Sequence, residues 1–239
     1  RVALRERVFS GWPAPDPPLA ARHAFSVERE GVRFAAWDFT SQELVRLRVY
    51  LLETVADGKP GKVALSVLDS SAWTNWLTSM RTLFGDVLKD ELPGVAGVAP
   101  DSAALRELRS RLAREEVALA FFAPRGVGLS AWSGDTKALT RIRRRFMLLG
   151  QTLEGMRVWD IRRAVQAVHY VREDDRGRIE LRADGIMGVN ALYAALFEPN
   201  VRWLALEHLP KSHMEGPDYL GVLKICDIPQ TVQAVRERA

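Results

Sequence analysis

Cysteine is all but absent from this chain of 239 residues: Cys226 stands alone. An internal disulfide and a cysteine-built metal site are therefore excluded. No stretch approaches the roughly 18 uninterrupted apolar residues that a membrane-spanning helix needs. Seventeen glycines and twelve prolines are too few for a collagenous or low-complexity chain. The chain opens on Arg1 rather than methionine, with no signal-type apolar region behind it. The expectation is a cut or processed piece of something longer. What is present is ordinary globular composition, 47% hydrophobic and 27% charged. At about 150 residues per domain, the length sets a prior of one to two domains.

Neither sign of charge dominates, since 34 basic and 30 acidic residues leave a net +4. The densest basic run is Arg141, Arg143, Arg144 and Arg145. A nucleic-acid reader would set such a run beside aromatic or polar base-reading groups. Here it alternates with Ile142, Phe146, Met147, Leu148 and Leu149, the pattern of a helix with one wet and one buried face. No nucleic-acid partner is expected.

Residues 1–20 hold Pro13, Pro15, Pro17 and Pro18 and read as an extended arm that packs Trp12 on a neighbour. Residues 21–61 change period. Phe25, Val27, Val32, Phe34, Val45, Leu47, Val49 and Leu51 alternate with polar residues, which predicts antiparallel strands with turns at Gly31 and Thr40–Glu43. The turn signal Asp57-Gly58-Lys59-Pro60-Gly61 then hands over to strand–helix alternation across 62–239. Lys62–Leu68, Val117–Ala123, Arg178–Arg182 and Val201–Glu207 are the strands. Ala72–Leu88, Ala103–Glu116 and Val189–Phe197 read as helices, as does Thr136–Val168 with a break near Gly150 or Gly155. A loop through Pro93, Gly94, Gly97 and Pro100 separates the first two, and Asp101-Ser102 can cap the second. The expectation is one α/β domain, a mostly parallel sheet covered by helices with an antiparallel lead-in.

In such sheets, chemistry gathers where strands hand over to helices. After Val117–Ala123 comes Pro124-Arg125-Gly126-Val127-Gly128-Leu129-Ser130, a sharp glycine-rich turn. After Ile179–Arg182 comes Ala183-Asp184-Gly185-Ile186-Met187-Gly188, opening a helix of small residues. A nucleophile elbow, G-x-S-x-G, belongs at such a junction because its serine adopts strained dihedrals between small neighbours. Aligned to it, Gly185 stands in the serine's place, flanked by Asp184 and Ile186, so the elbow carries no attacking atom. The same residues lie one substitution from G-x-G-x-x-G, and Glu207 follows Gly188 by 19 residues, near the spacing of a ribose-binding acid. Against a dinucleotide, Ala183 replaces the first glycine and two strand–helix units precede the turn.

The third turn holds His208, Ser212, His213 and Asp218, with Asp227 beyond. H-x₄-H without a third placed ligand is a poor metal site, so no metal and no cofactor are expected. A Ser/His/Asp set this close in sequence is unlike the distant contributions that build triads. Histidines bonding loop backbone are the plainer reading, with His213 the residue to test. His23 and His169 carry no motif.

The stretches Phe9–Pro13, Pro124–Gly126, Arg144–Leu153, Gly155–Ala164 and Asn190–Leu196 together resemble acetyl xylan esterase-like α/β-hydrolases of bacteria, most specifically in Gly155–Ala164. The resemblance implies an α/β-hydrolase-like fold, a carbohydrate-ester ligand and an exported protein. It also implies likeness to those hydrolase-like units that lack the serine, which sit in tandem with another unit. An upstream esterase domain or a second copy is the partner expected. In the family's order Asp and His follow further strands, yet residues 208–239 are only 32, and a strand–helix–strand unit takes about 30 before any histidine loop. Two readings remain open. One is a degenerate, supporting or binding unit. The other is an esterase using Ser130, or Ser212 with His213 and Asp227, as an unusual set.

Overall fold

Period-two alternation carries the chain out as three antiparallel strands: β1 (Arg22–Arg29), β2 (Val32–Gln42) and β3 (Val45–Thr54). The computed structural model describes residues 1–55, 60–94, 100–132, 135–173 and 178–237. Asp57, Gly58 and Lys59 of the expected turn, and Gly97 of the expected loop, lie outside the described residues. Glu30 and Gly31, both at positive φ, make the first hairpin turn. The second turn is tighter than the sequence suggests. Thr40 still pairs with Arg46 and Gln42 with Val45, which leaves Glu43-Leu44 to reverse the chain.

Four further strands follow, β4 (Lys62–Val67), β5 (Val117–Phe122), β6 (Arg178–Asp184) and β7 (Val201–Glu207). One seven-stranded sheet holds them in the order β1-β2-β3-β5-β4-β6-β7. β3 runs antiparallel to β5, while β5, β4, β6 and β7 are mutually parallel. The sheet is thus mixed, the expected antiparallel lead-in joined edge to edge with the parallel strands. The hairpin strands join the same sheet and are the longest in it, so half of the strand pairings are antiparallel.

The runs of β4 and β5 are continuously apolar because both faces are covered. Ala64 faces Trp76, Met80, Phe84, Leu105 and Leu112 of α2 (Ser70–Phe84) and α3 (Ser102–Glu115). Val63 and Leu65 face α5 (Leu153–Arg172) and α6 (Gly185–Phe197) across the larger core. Asp69 and Asp101 cap α2 and α3 by accepting first-turn amides. The break expected near Gly150 falls there, between α4 (Thr136–Leu148) and α5, whose cap is Thr152. The chain ends in α7 (Ile228–Arg236).

The amino-terminal arm is not extended throughout. Its proline-free start, Val2–Arg7, forms helix α1, which buries Leu4, with Val8 buried just beyond it. Trp12 packs as expected: it stacks on Phe9 at 4.4 Å and donates its indole N–H to the Gly155 carbonyl at 2.8 Å.

One buried carboxylate ties three elements together. Asp160 of α5 is fully buried. It accepts the Ser41 hydroxyl of β2 at 2.6 Å, and from Arg125 the backbone N–H at 3.0 Å, Nε–H at 2.8 Å and Nη2–H at 2.7 Å. Trp159 closes the knot by donating its indole N–H to the Ser41 carbonyl at 2.8 Å. Removing one partner of a buried ion pair strands the other's charge. Asp160→Ala is expected to lower unfolding free energy by about 3–5 kcal/mol in urea titration. Ser41→Ala, which removes one bond to a charged acceptor, costs about 1.5–3 kcal/mol.

Candidate functional site

The parallel strands end together, and their carboxyl-terminal turns form one rim. Ser70 follows β4, Gly126 follows β5 and Ile186 follows β6. With Trp132, Arg157 and Pro217 they help line a cavity of about 390 Å³. Gly126, at φ +79°, lies flat under the Trp132 ring: a Cβ there would come within 2.5 Å of it. This glycine lets the aromatic wall approach the backbone, which no other residue would allow.

At the β6–α6 junction the strand runs to Asp184 and the helix begins at Gly185 with no intervening residue. Gly185 has φ +52°, and a Cβ built on it would meet nothing within 4 Å. The position thus combines the strained dihedral of an elbow with open space where a side chain would project. Met187, at the second small-residue position, is buried in the core beneath. Gly188 makes way for the side chain of Leu209. The flanking Asp184 and Ile186 are exposed, Ile186 toward the cavity. Asp184 meets His208 Nδ1 at 2.9 Å, because β6–β7 pairing sets Asp184 against Glu207 and His208 is next in the chain.

Behind the rim lies a polar chain that sequence reasoning missed. Glu154 accepts Arg157 Nη1–H at 2.8 Å and Asn190 Nδ2–H at 2.6 Å. Arg157 also donates Nε–H to the Arg125 carbonyl at 3.1 Å, and the Tyr219 hydroxyl donates to Asn190 Oδ1 at 2.5 Å. Full burial pushes the Tyr219 hydroxyl well above its ordinary pKa, so it serves as a neutral donor. Arg143 and Asp218 form an ion pair beside the cavity. The available signal was Asn190 and Tyr193, two polar side chains in the otherwise apolar helix Gly185–Phe197.

The residues of the third turn do assemble, but not as a triad. Ser212 donates its hydroxyl to Asp227 Oδ2 at 2.6 Å, and the His213 backbone N–H donates to Asp227 Oδ1 at 2.8 Å. Asp227 also caps α7 through the Ile228 amide and a reciprocal bond with Gln230. The Ser212 hydroxyl holds the Asp227 carboxyl below its usual value. The buried His213 ring bonds elsewhere, with Nδ1 3.1 Å from the Pro217 carbonyl and Nε2 2.8 Å from the Tyr193 hydroxyl. A neutral ring satisfies both, donating from Nδ1 and accepting at Nε2. Ser130 accepts the Gly126 amide at 3.2 Å and donates to the Val127 carbonyl at 3.0 Å. It braces its own loop. Among the described residues, no group of three or more His, Cys, Asp or Glu is placed to hold a metal. Nor is any helix among them long and apolar enough to cross a membrane.

Burial lowers the His213 pKa from its ordinary 6.5. Its contribution to stability is therefore complete above about pH 6.5, and falls as acid drives protonation of the unfolded chain toward the depressed folded value. The buried Glu198 carboxyl, raised by its own desolvation, acts with the opposite sign. The difference between proteins isolates the histidine: between pH 7.5 and 5.5, wild type loses more stability in urea titrations than His213→Gln. At Gly185 the open space removes any clash, so Gly185→Ala costs only the left-handed backbone penalty of about 1–2 kcal/mol.

No family model matches the sequence, and no curated protein matches it. Solved structures do match. An acetyl xylan esterase assignment from Bacteroides fragilis superposes at TM-score 0.57 and 15% identity, over 85% of this chain and 50% of that one. Acetyl xylan esterase 1 from Thermoanaerobacterium superposes at 0.51 and 15% identity, over 83% and 53%. The chain spans about half the length of these proteins. What it shares with them is the fold: an α/β-hydrolase-like architecture of the acetyl xylan esterase kind.

Proposed function

We propose that this chain is a catalytically degenerate α/β-hydrolase-like unit that binds a carbohydrate ester, or supports an esterase unit that acts on one. The observation that carries this reading is Gly185. An elbow with a left-handed backbone and free space above it holds no attacking atom. The rim cavity offers a sugar ester Trp132 as an aromatic wall and Arg157 as a hydrogen-bond donor. Glu154 holds Arg157 in place and is itself held by Asn190. Two of the similar structures are acetyl xylan esterases, which favours an acetylated xylan fragment as the ligand class.

Two measurements test the proposal on the chain as it stands. Incubation with p-nitrophenyl acetate is expected to give neither burst nor turnover above buffer, and a serine-directed fluorophosphonate to leave no adduct in the mass spectrum. A stoichiometric adduct overturns the reading in favour of an unusual serine. In thermal shift, acetylated xylo-oligosaccharide at 100 times its Kd is expected to stabilise the protein by about 2.7 kcal/mol. Trp132→Ala is expected to abolish that shift.

A further inference from the structure

The densest basic run falls on α4, and the helix does not bury the apolar residues that its sequence interleaves with those charges. Ile142 and Phe146 are half-buried, Phe146 against the larger core and 6.4 Å from the Trp132 ring. No residue of α4 is fully buried, however, and Met147, Leu148 and Leu149 stay exposed. Leu148 and Leu149, at its end, are 86% and 74% exposed. Leu220 and Leu223 are exposed beside them, and with Met147 and Lys224 they help line a cavity of about 420 Å³.

The charge around these apolar side chains has one sign. Lys137, Arg141 and Arg144 precede Leu148 by eleven, seven and four residues, which sets all four along one line of the helix, with Arg145 beside it. All are exposed, and none of the four cations has an acidic partner among the described residues. Arg143 lies on another side of the helix, at the rim cavity, where Asp218 takes it. No acidic residue stands between Thr136 and Gln151, and Asp135 is occupied as the cap of α4, accepting the Ala138 amide.

We propose that this face of α4, with the leucines at its end, docks on a bilayer surface of anionic lipid. Such a surface takes both features at once: its headgroups pair with Lys137, Arg141, Arg144 and Arg145, and its interface takes up Leu148 and Leu149. A polyanion such as a nucleic acid uses the cations and leaves the leucines in water. A second copy of the chain on the same face sets the basic line against itself. The helix lies on the membrane and does not cross it. The surface adjoins the rim cavity through Pro217 and Asp218 but does not depend on what that cavity binds.

Co-sedimentation of the unmodified chain with phosphatidylcholine vesicles holding about one-third phosphatidylserine tests this. Binding is expected to these vesicles and not to phosphatidylcholine alone, and to weaken as sodium chloride rises. Arg141→Gln and Arg144→Gln are each expected to weaken it about fivefold. The pair Leu148→Ser and Leu149→Ser is expected to weaken it at least about tenfold. All four side chains are exposed, so the thermal melting of the variants is expected to match wild type. No binding to the anionic vesicles overturns the proposal. So does binding that ignores the leucine pair, or heparin binding that loses as much as vesicle binding in that pair, since the surface is then not reading a bilayer.

Discussion

The rest of the structure hangs on a charge with no access to water. Asp160 sits in the middle of a long helix, and its desolvation is tolerable only because four donors converge on it. Three of those donors belong to Arg125, in the turn after β5, and the fourth to Ser41, near the end of β2. The bonds set where that turn lies over the sheet, and the turn in turn presents Gly126 to Trp132 and the Arg125 carbonyl to Arg157. The same helix, one turn and a half earlier, carries Glu154, which reaches Asn190 on α6. A line of polar contacts thus runs from a hairpin strand, through the keystone carboxylate, to the helix that begins at Gly185. The rim is shaped by the core beneath it rather than by the loops that line it.

Much of this could be read from the chain. β7 runs over the residues its text predicts, and β4 and β5 differ only at their last residue, because unbroken apolar runs between turn signals leave little choice. The helix break at Gly150 and the cap at Asp101 follow from local chemistry. The junction of β6 and α6 at Gly185 was legible because strand, tight turn and small-residue helix are all local features. What was not legible required partners far apart in sequence. No periodicity announces that Glu154 will meet Asn190, or that the Ser212 hydroxyl will donate to Asp227, the cap of α7, while the neighbouring His213 ring reaches Tyr193. The helix at Val2–Arg7 was hidden by the prolines that follow it. The text of the hairpin strands gave their antiparallel pairing but did not say that they would join the parallel strands in one sheet.

The His213 loop shows how a catalytic-looking set can be structural. Serine, histidine and aspartate lie within sixteen residues, and Asp227 accepts both the Ser212 hydroxyl and the His213 backbone N–H. Each bond nevertheless completes a loop or a helix end. Residue identity suggested chemistry; the direction of the bonds decides against reading it as a relay.

The amino-terminal arm carries a consequence for the order of events during synthesis. Phe9 stacks on Trp12 and meets Tyr193, Phe197 and Tyr219 edge-on, while Trp12 is held by Gly155 and by the Arg162 guanidinium 5.0 Å from its ring. Every one of those partners is made more than 140 residues after the arm itself. During synthesis Phe9 and Trp12 therefore wait, unburied, until those later partners have been translated. The larger core can close around this arm only once α5 and α6 exist, and the arm is then fastened to both helices.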